Sequence, residues 1–364
     1  MTSTDNTTTP SETAQTENGH LLDALDPQLN RWLQDRGLPG YRGKQIRQWL
    51  FQQRAANWDA MSDLPQKLRR ALAADLPLWQ SRILRHIRAA DGTEKLLLAL
   101  SRGGQIECVL LRDRVRRTIC ISTQVGCGMG CVFCASGLDG VERNLSSGEI
   151  VEQMLRLQQL LETEERLSHV VVMGMGEPLA NLEALLPALA EAHRADGLGI
   201  STRRITISTV GLPAAIDRLA GSQPHYRLAL SLHAPNDALR RQLVPAGQPL
   251  QTLLAAADRY FAVSGRRMTF EYVLLADIND QPDHARQLAH LLGRREALLN
   301  VIPYNPVAGL PYRTPSTARQ QTFQRILTAA GLRVQFRHRK GSRINAACGQ
   351  LRRAAGGRDR LSSN

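Results

Sequence analysis

Between residues 21 and 75 apolar positions recur at the three- and four-residue spacing of helices, with breaks at Gly37-Leu38-Pro39-Gly40 and Leu64-Pro65. This pattern predicts a small helical domain over 21–80. Over 82–112 the period changes to alternation, and the Asp91-Gly92 and Gly103-Gly104 pairs mark hairpin turns. A short antiparallel β-extension is predicted over 81–112. From 117 onward a unit of strand, loop and helix repeats. Strands are expected at 118–123, 168–173, 203–208, 226–231, 268–274 and 298–302, and helices near 147–162, 181–195, 211–220, 250–264, 281–293 and 315–330. Six β/α units in series predict an α/β fold over 113–338, a parallel sheet curled into a partial (β/α)6 barrel. Active sites of such sheets lie at the carboxyl ends of the strands, which tells which loops to inspect. Residues 1–20, rich in Thr, Ser and Asn, read as a disordered tail, and 339–364 as a basic C-terminal tail.

Charge adds a partner class. Lys and Arg number 46 against 33 Asp and Glu, for a net charge of +13 over 364 residues. Such a balance suits a polyanion, either nucleic acid or an anionic surface. No apolar run reaches the length of a membrane span, and the start lacks the basic-then-apolar order of a secretory signal. The six cysteines are too few for a disulfide framework, and their clustering suggests thiolate ligands in a reducing cytoplasm.

The segment QVGCGMGCVFCASG, residues 124–137, holds Cys127, Cys131 and Cys134 in the spacing C-x3-C-x2-C. Gly126, Gly128, Gly130 and Gly137 allow the backbone to wrap closely around a bulky centre. Structural zinc is the plain alternative, but it wants four ligands and no fourth Cys or His lies near. Three thiolates and a vacancy suit a 4Fe–4S cluster with one iron left open.

The expected strand-end loops carry further candidates. VVVMGMGEPLAN follows the second strand: Gly174 and Gly176 permit close approach of a ligand, and Glu177 can accept from an ammonium group or merely cap a turn, as can Asn181. Ser208 ends the third strand, Ser231 and His233 the fourth, and Asn305 in IPYNP the sixth. A serine at a strand end is ordinarily a helix cap; three consecutive strand ends of this kind are less ordinary. Outside the loop, alternation puts Cys120 on the polar face of its strand with Thr118 and Ser122. Cys108 shares a packing face with Ile106 and Leu110, so Glu107 falls on the other face with Val109 and Leu111. A carboxylate there either points into a functional pocket or makes an ion pair. Cys348 stands in the Gly- and Ala-rich INAACGQL, with little core to enter.

The cysteine spacing, its place after a first strand and the partial barrel together resemble the radical S-adenosylmethionine superfamily, and GMGEP resembles its GGEP motif. With RNLSSGEIVEQ, ISTVGL, LALSLHAPND, IPYNP and INAACGQL, the chain resembles the RlmN family of RNA adenine-C2 methyltransferases over roughly residues 21–353. The resemblance implies one 4Fe–4S cluster on Cys127, Cys131 and Cys134. It implies S-adenosylmethionine held by Gly176, Glu177, Ser208, Ser231, Leu232, His233 and Asn305, two molecules per turnover. It implies that Cys348 carries the methyl group as S-methylcysteine, that Glu107 accepts the proton, and that Cys120 forms a transient disulfide with Cys348. The implied substrates are an adenosine in the peptidyl transferase centre of 23S rRNA and the adenosine 3′ of the tRNA anticodon. The implied donor is a flavodoxin or ferredoxin system, serving a cytoplasmic monomer. Arg333, Arg337, Arg339, Lys340 and Arg343, with the helical domain, are then suited to phosphates. The chain departs from the family's acidic pattern before the tail cysteine, with Arg343 and Asn345 there. The alternatives are a Cfr-like carbon-8 methyltransferase and a non-catalytic RNA-binding protein with a metal knuckle.

Overall fold

A computed structural model describes residues 19–293, 295–337 and 344–351. The tail expected over 1–20 lies outside them up to residue 18, as do Arg339, Lys340 and Arg343. The N-terminal region folds as α1 (Leu25–Gln34), α2 (Tyr41–Phe51) and α3 (Gln66–Asp75). The two sequence breaks are the two connections; Gly37 takes the left-handed φ of +63° that closes α1. The apolar stripe Leu25, Leu29, Trp32 and Leu33 of α1 is buried, as are Ile46, Leu50 and Phe51 of α2.

The strands are β1 (Ser81–Arg88), β2 (Glu94–Leu100), β3 (Gln105–Asp113), β4 (Arg116–Cys120), β5 (Gln124–Gly126), β6 (Val141–Asn144), β7 (His169–Val172), β8 (Ile205–Thr209), β9 (Arg227–Ser231), β10 (Met268–Leu274), β11 (Ala297–Pro303) and β12 (Arg333–Phe336). Among the described residues, ten of them form one open sheet in the order β1-β2-β3-β4-β7-β8-β9-β10-β11-β12. The first three pairings are antiparallel, and from β4 to β12 all are parallel. The covering helices are α4 (Ser147–Gln158), α5 (Leu182–His193), α6 (Pro213–Gly221), α7 (Asp237–Leu243), α8 (Leu250–Ser264), α9 (Pro282–Leu292) and α10 (Thr317–Ala329).

The six expected units are present, with three differences. The antiparallel extension is no separate layer, because β3 pairs with β4 and continues the sheet. A seventh parallel strand, β12, lies between the last expected helix and the tail, where no strand was expected. The cysteine loop does not follow the first barrel strand directly; the short β5, paired with β6, intervenes.

The register sorts the side chains onto two faces. Paired residues on neighbouring strands project to the same side. Glu107 stands opposite Leu97, and Val109 opposite both Lys95 and Cys120. Cys120 stands opposite Val171, and Val171 opposite Thr206. Ser231 stands opposite Glu271, Glu271 opposite Asn300, and Asn300 opposite Gln335. Lys95, Glu107, Cys120, Ser208, Ser231, Glu271 and Asn300 therefore lie on one face that runs unbroken from the antiparallel extension into the barrel. The opposite face, with Leu96, Leu98, Ile106, Cys108, Leu110 and Ile119, is fully buried. Cys108 is accordingly a packing residue.

Two buried polar hubs join the segments. Glu152 of α4 accepts from Ser81 Oγ at 2.5 Å and from the backbone N–H groups of Gln80 and Ser81, and lies 2.8 Å from His20 Nε2. Burial pushes its carboxyl up, but the His20 and Ser81 bonds outweigh this and hold it at about 2. Arg47 of α2 is buried against Asp26, Glu191 and Asp196, tying the helical domain to α5.

Candidate active site

At the carboxyl ends of the parallel strands lies a cavity of about 150 Å³. Cys127, Cys131 and Cys134 rim it, with Phe133 between them set edge-on to His233 at 4.9 Å between ring centres. The loop needs its glycines. Gly126 has φ +80°, and a Cβ there would fall 2.0 Å from the Gly140 carbonyl oxygen. Burial pushes all three up, Cys127 to about 11; the other two thiols add to it at Cys131, while hydrogen bonds from Met129 and Ser136 offset part of it at Cys127 and Cys134. Among the described residues the cation acting on these thiols is Arg240, which lowers Cys131. A bound metal would supply further positive charge.

Among the described residues no three His, Cys, Asp or Glu side chains converge on a single-ion site. The three thiols rim one space. Three thiols on one space are a donor set that suits a 4Fe–4S cluster.

Gly176, Glu177, Ser208, Ser231, His233 and Asn305 line the same cavity, brought together from four strand ends. Gly176 has φ +104° and packs against Gln124 and Thr123. The Glu177 carboxylate is bound by Thr209 Oγ1 at 2.6 Å and by the N–H groups of Val210 and Leu179. It caps its own turn and fixes the next loop, and burial still raises it. His233 sits at φ +59°, and its Nδ1 accepts from the Val273 N–H at 3.0 Å. Burial, then Arg240, pull it down to about 3, so it is a neutral acceptor. Asn305 donates to the Cys348 carbonyl at 3.2 Å, and its buried Oδ1 has no partner among the described residues. Leu232, between Ser231 and His233, has its side chain fully buried in the core, so only its backbone is left to face a ligand.

The C-terminal segment gives a correction. INAACGQL is packed into the site: Ala346, Ala347, Gln350 and Leu351 are buried. The Gly349 carbonyl accepts from the Ala135 N–H at 2.8 Å and the Leu351 carbonyl from Ser136 Oγ at 2.6 Å. Cys348 thereby lines the cavity with the three loop thiols. Arg337, expected at an RNA surface, turns inward: its Nη1 donates to Cys348 Sγ at 3.3 Å. Arg333 of β12 is exposed.

Glu107 and Cys120 lie beside the cavity, outside its lining. Glu107 is buried and pairs with Lys95, Nζ to Oε1 at 2.7 Å; Lys95 also donates to the Asn345 carbonyl at 3.1 Å. Cys120 is buried, and among the described residues its thiol is free, as are the other five. Burial, and then the nearby Cys348, push Cys120 up to about 12.

Sequence reasoning missed Glu271, Asn300, Lys95 and Arg240, and assigned Arg337 to the wrong partner. Asn300 Nδ2 donates to Glu271 Oε2 at 2.7 Å, beneath Cys348. The same reasoning that singled out Glu107, a carboxylate amid strand alternation, applies to Glu271 in MTFEYVL. Arg240 donates from inside the core to the carbonyls of Ser231, Leu232, Val210 and Gln248. It thereby fixes two site loops.

Residues 121–289 match the Radical SAM superfamily, and residues 20–76 match the ribosomal RNA large subunit methyltransferase N-terminal domain. A protein of Rhodopirellula baltica, named a probable dual-specificity RNA methyltransferase RlmN, is 60% identical over 96% of this chain and 95% of its own. The chain belongs to the RlmN family. It is thus a radical S-adenosylmethionine RNA methyltransferase, and the non-catalytic reading falls. The RlmN relative of Thermosynechococcus vestitus is 46% identical over 92% of this chain and 98% of its own. The crystal structure of a radical SAM methyltransferase from Sphaerobacter thermophilus, 43% identical, superposes with a TM-score of 0.88 over 92% of this chain and 99% of that one. Membership of the RlmN family implies a 4Fe–4S cluster and S-adenosylmethionine as cofactors.

Proposed function

We propose that this RlmN-family enzyme methylates carbon 2 of an adenosine in the peptidyl transferase centre of 23S rRNA and of the adenosine 3′ of the tRNA anticodon. The observation that carries the reading is Cys348. A cysteine far from the loop in sequence lines the same cavity as Cys127, Cys131 and Cys134, with Cys120 behind it. A protein that only bound RNA has no use for a fourth thiol there.

Cys127, Cys131 and Cys134 would hold one 4Fe–4S cluster, and Gly176, Glu177, Ser208, Ser231, His233 and Asn305 would hold S-adenosylmethionine, two molecules being used per turnover. The bound pair supplies a carbon-centred radical, which an electron-poor carbon such as C2 of adenine requires. The protein's own groups do the rest. Cys348 takes a methyl group on sulfur and presents it to the base. Glu107 accepts the proton leaving carbon 2 of the covalent adduct. Cys120 attacks the Cys348 sulfur, the bond from that sulfur to the methylene carbon breaks, and the carbon takes up a proton. A disulfide remains, which a reductant reopens. A flavodoxin- or ferredoxin-type donor and a cytoplasmic monomer complete the reading. Among the described residues no helix is long and apolar enough to cross a membrane.

The test is mass spectrometry of 23S rRNA and tRNA from a strain lacking the enzyme. Loss of 2-methyladenosine from both is expected. Loss of 8-methyladenosine instead would assign a Cfr-like reaction, and a colourless, iron-free protein after anaerobic reconstitution would refute the reading.

A further inference from the structure

The strand β1 is an edge strand of the sheet, and its sequence SRILRHIR is exposed apart from Ser81 and the half-buried Ile87. Long exposed edges invite unwanted pairing, and arginines along one blunt it. That accounts for charge on the strand but not for which way the charges point.

The register shows the direction. Arg82 stands opposite Ala99 and Ile83 opposite Leu98, but the next pair is Arg85 with Leu97. Leu84 is the extra residue of a β-bulge. Without it Arg82 and Arg85, three apart, would face opposite sides. With it both lie on the side of Ala99 and Leu97. Leu97 in turn stands opposite Glu107. Arg85, Leu97 and Glu107 therefore form one row across three strands, which places the backbone of Arg85 roughly 10 Å from that of Glu107. Bulges beside active sites commonly re-aim a side chain in this way. Arg88 stands opposite Glu94 on the other face.

Neither the Arg82 nor the Arg85 side chain makes a hydrogen bond or ion pair among the described residues. Other arginines are paired: Arg112 with Glu94, Arg143 with Glu149 and Arg156 with Glu152. In the helical domain, Arg36 pairs with Asp75 and Arg47 with three carboxylates. Arg82 and Arg85 thus add positive charge to the site face in the row that leads to Glu107, on a protein of net charge +13.

We propose that Arg82 and Arg85 grip backbone phosphates of the substrate RNA beside the nucleotide whose base reaches Glu107. The bulge at Leu84 aims them there. This rests on the reading of Glu107 as the residue that meets the target base.

The test uses the full-length enzyme and an RNA hairpin with an unpaired adenosine in its loop. R82Q/R85Q is expected to weaken binding about tenfold near 0.1 M salt. It should lower the slope of log K against log salt by about 1.5, as two lost phosphate contacts require. KM for RNA should rise with kcat kept, and R82K/R85K should restore most of the affinity. R88Q, on the opposite face of the same strand, is the control. A double variant that binds no worse than R88Q, or one weakened only toward anionic vesicles, overturns the proposal. Methylation of Cys348 in the absence of RNA, read by mass spectrometry, tests the underlying function separately. If the wild type shows none, the methyl-carrier reading fails, while the binding comparison still decides the grip.

Discussion

Lys95 Nζ lies 2.7 Å from Glu107 Oε1, and both side chains are more than nine-tenths buried. The pair joins β2 to β3 on the site face, and Lys95 reaches on to the tail through the Asn345 carbonyl. Removing one partner of a buried pair leaves an uncompensated charge, at a cost of about 3–5 kcal/mol. Lys95→Met is therefore expected to lower stability by that order in denaturant melts. Lys95→Met/Glu107→Gln, which removes both charges, should recover more than half of the loss. A single variant as stable as the wild type would show that the pair contributes nothing.

Glu152 makes stability depend on acid. Its carboxyl is held at about 2 in the folded protein against an ordinary 4.5. A depressed folded value means that the stabilisation is present in full above pH 4.5 and is lost as pH falls towards 2. The shift corresponds to roughly 3 kcal/mol. Glu152→Gln should melt several degrees lower at pH 7 yet converge with the wild type near pH 2–3. Parallel curves over the whole range would contradict the assignment.

The fold was largely legible because the barrel strands are short apolar runs between turn residues, and the period change at residue 117 marks where β/α units begin. β12 was not, since RVQF is brief and reads as the front of a basic run. The loop thiols declared themselves by spacing. Arg337, Lys95 and Arg240 did not, because a basic residue in sequence looks the same whether it faces water or a buried thiol, carboxylate or carbonyl. The position of the tail was equally hidden. Ala346 and Ala347 are small enough to slide into a site, but nothing local says that Ala135 and Ser136 wait to bind their neighbours.

Arg337 orients the sulfur that we take to carry the methyl group. Its guanidinium donates to Cys348 Sγ and faces Glu271 and Cys120. A charge-assisted hydrogen bond contributes about 1.5–3 kcal/mol. Arg337→Gln should slow methylation of Cys348 by tenfold or more in single-turnover mass spectrometry, while the cluster's visible absorption is unchanged. Arg337→Lys should rescue part of the rate. An unaltered methylation rate in Arg337→Gln would remove Arg337 from the reaction.

On the proposed mechanism Cys348 and Cys120 serve different halves of the reaction. Cys348→Ala should abolish RNA methylation outright, since no sulfur remains to hold the methyl group. Cys120→Ala should stop later, at a covalent protein–RNA adduct visible as a slow band on denaturing gels. The release step also has a pH signature. Burial, and then Cys348, raise the Cys120 thiol to about 12, so at neutral pH only a trace is thiolate. The attacking thiolate fraction grows about tenfold per pH unit below that value. Decay of the adduct in the wild type should therefore accelerate about tenfold per unit between pH 7 and 9. A flat profile would mean that Cys120 is not the attacking group, or that its proton is removed by a neighbour in the adduct.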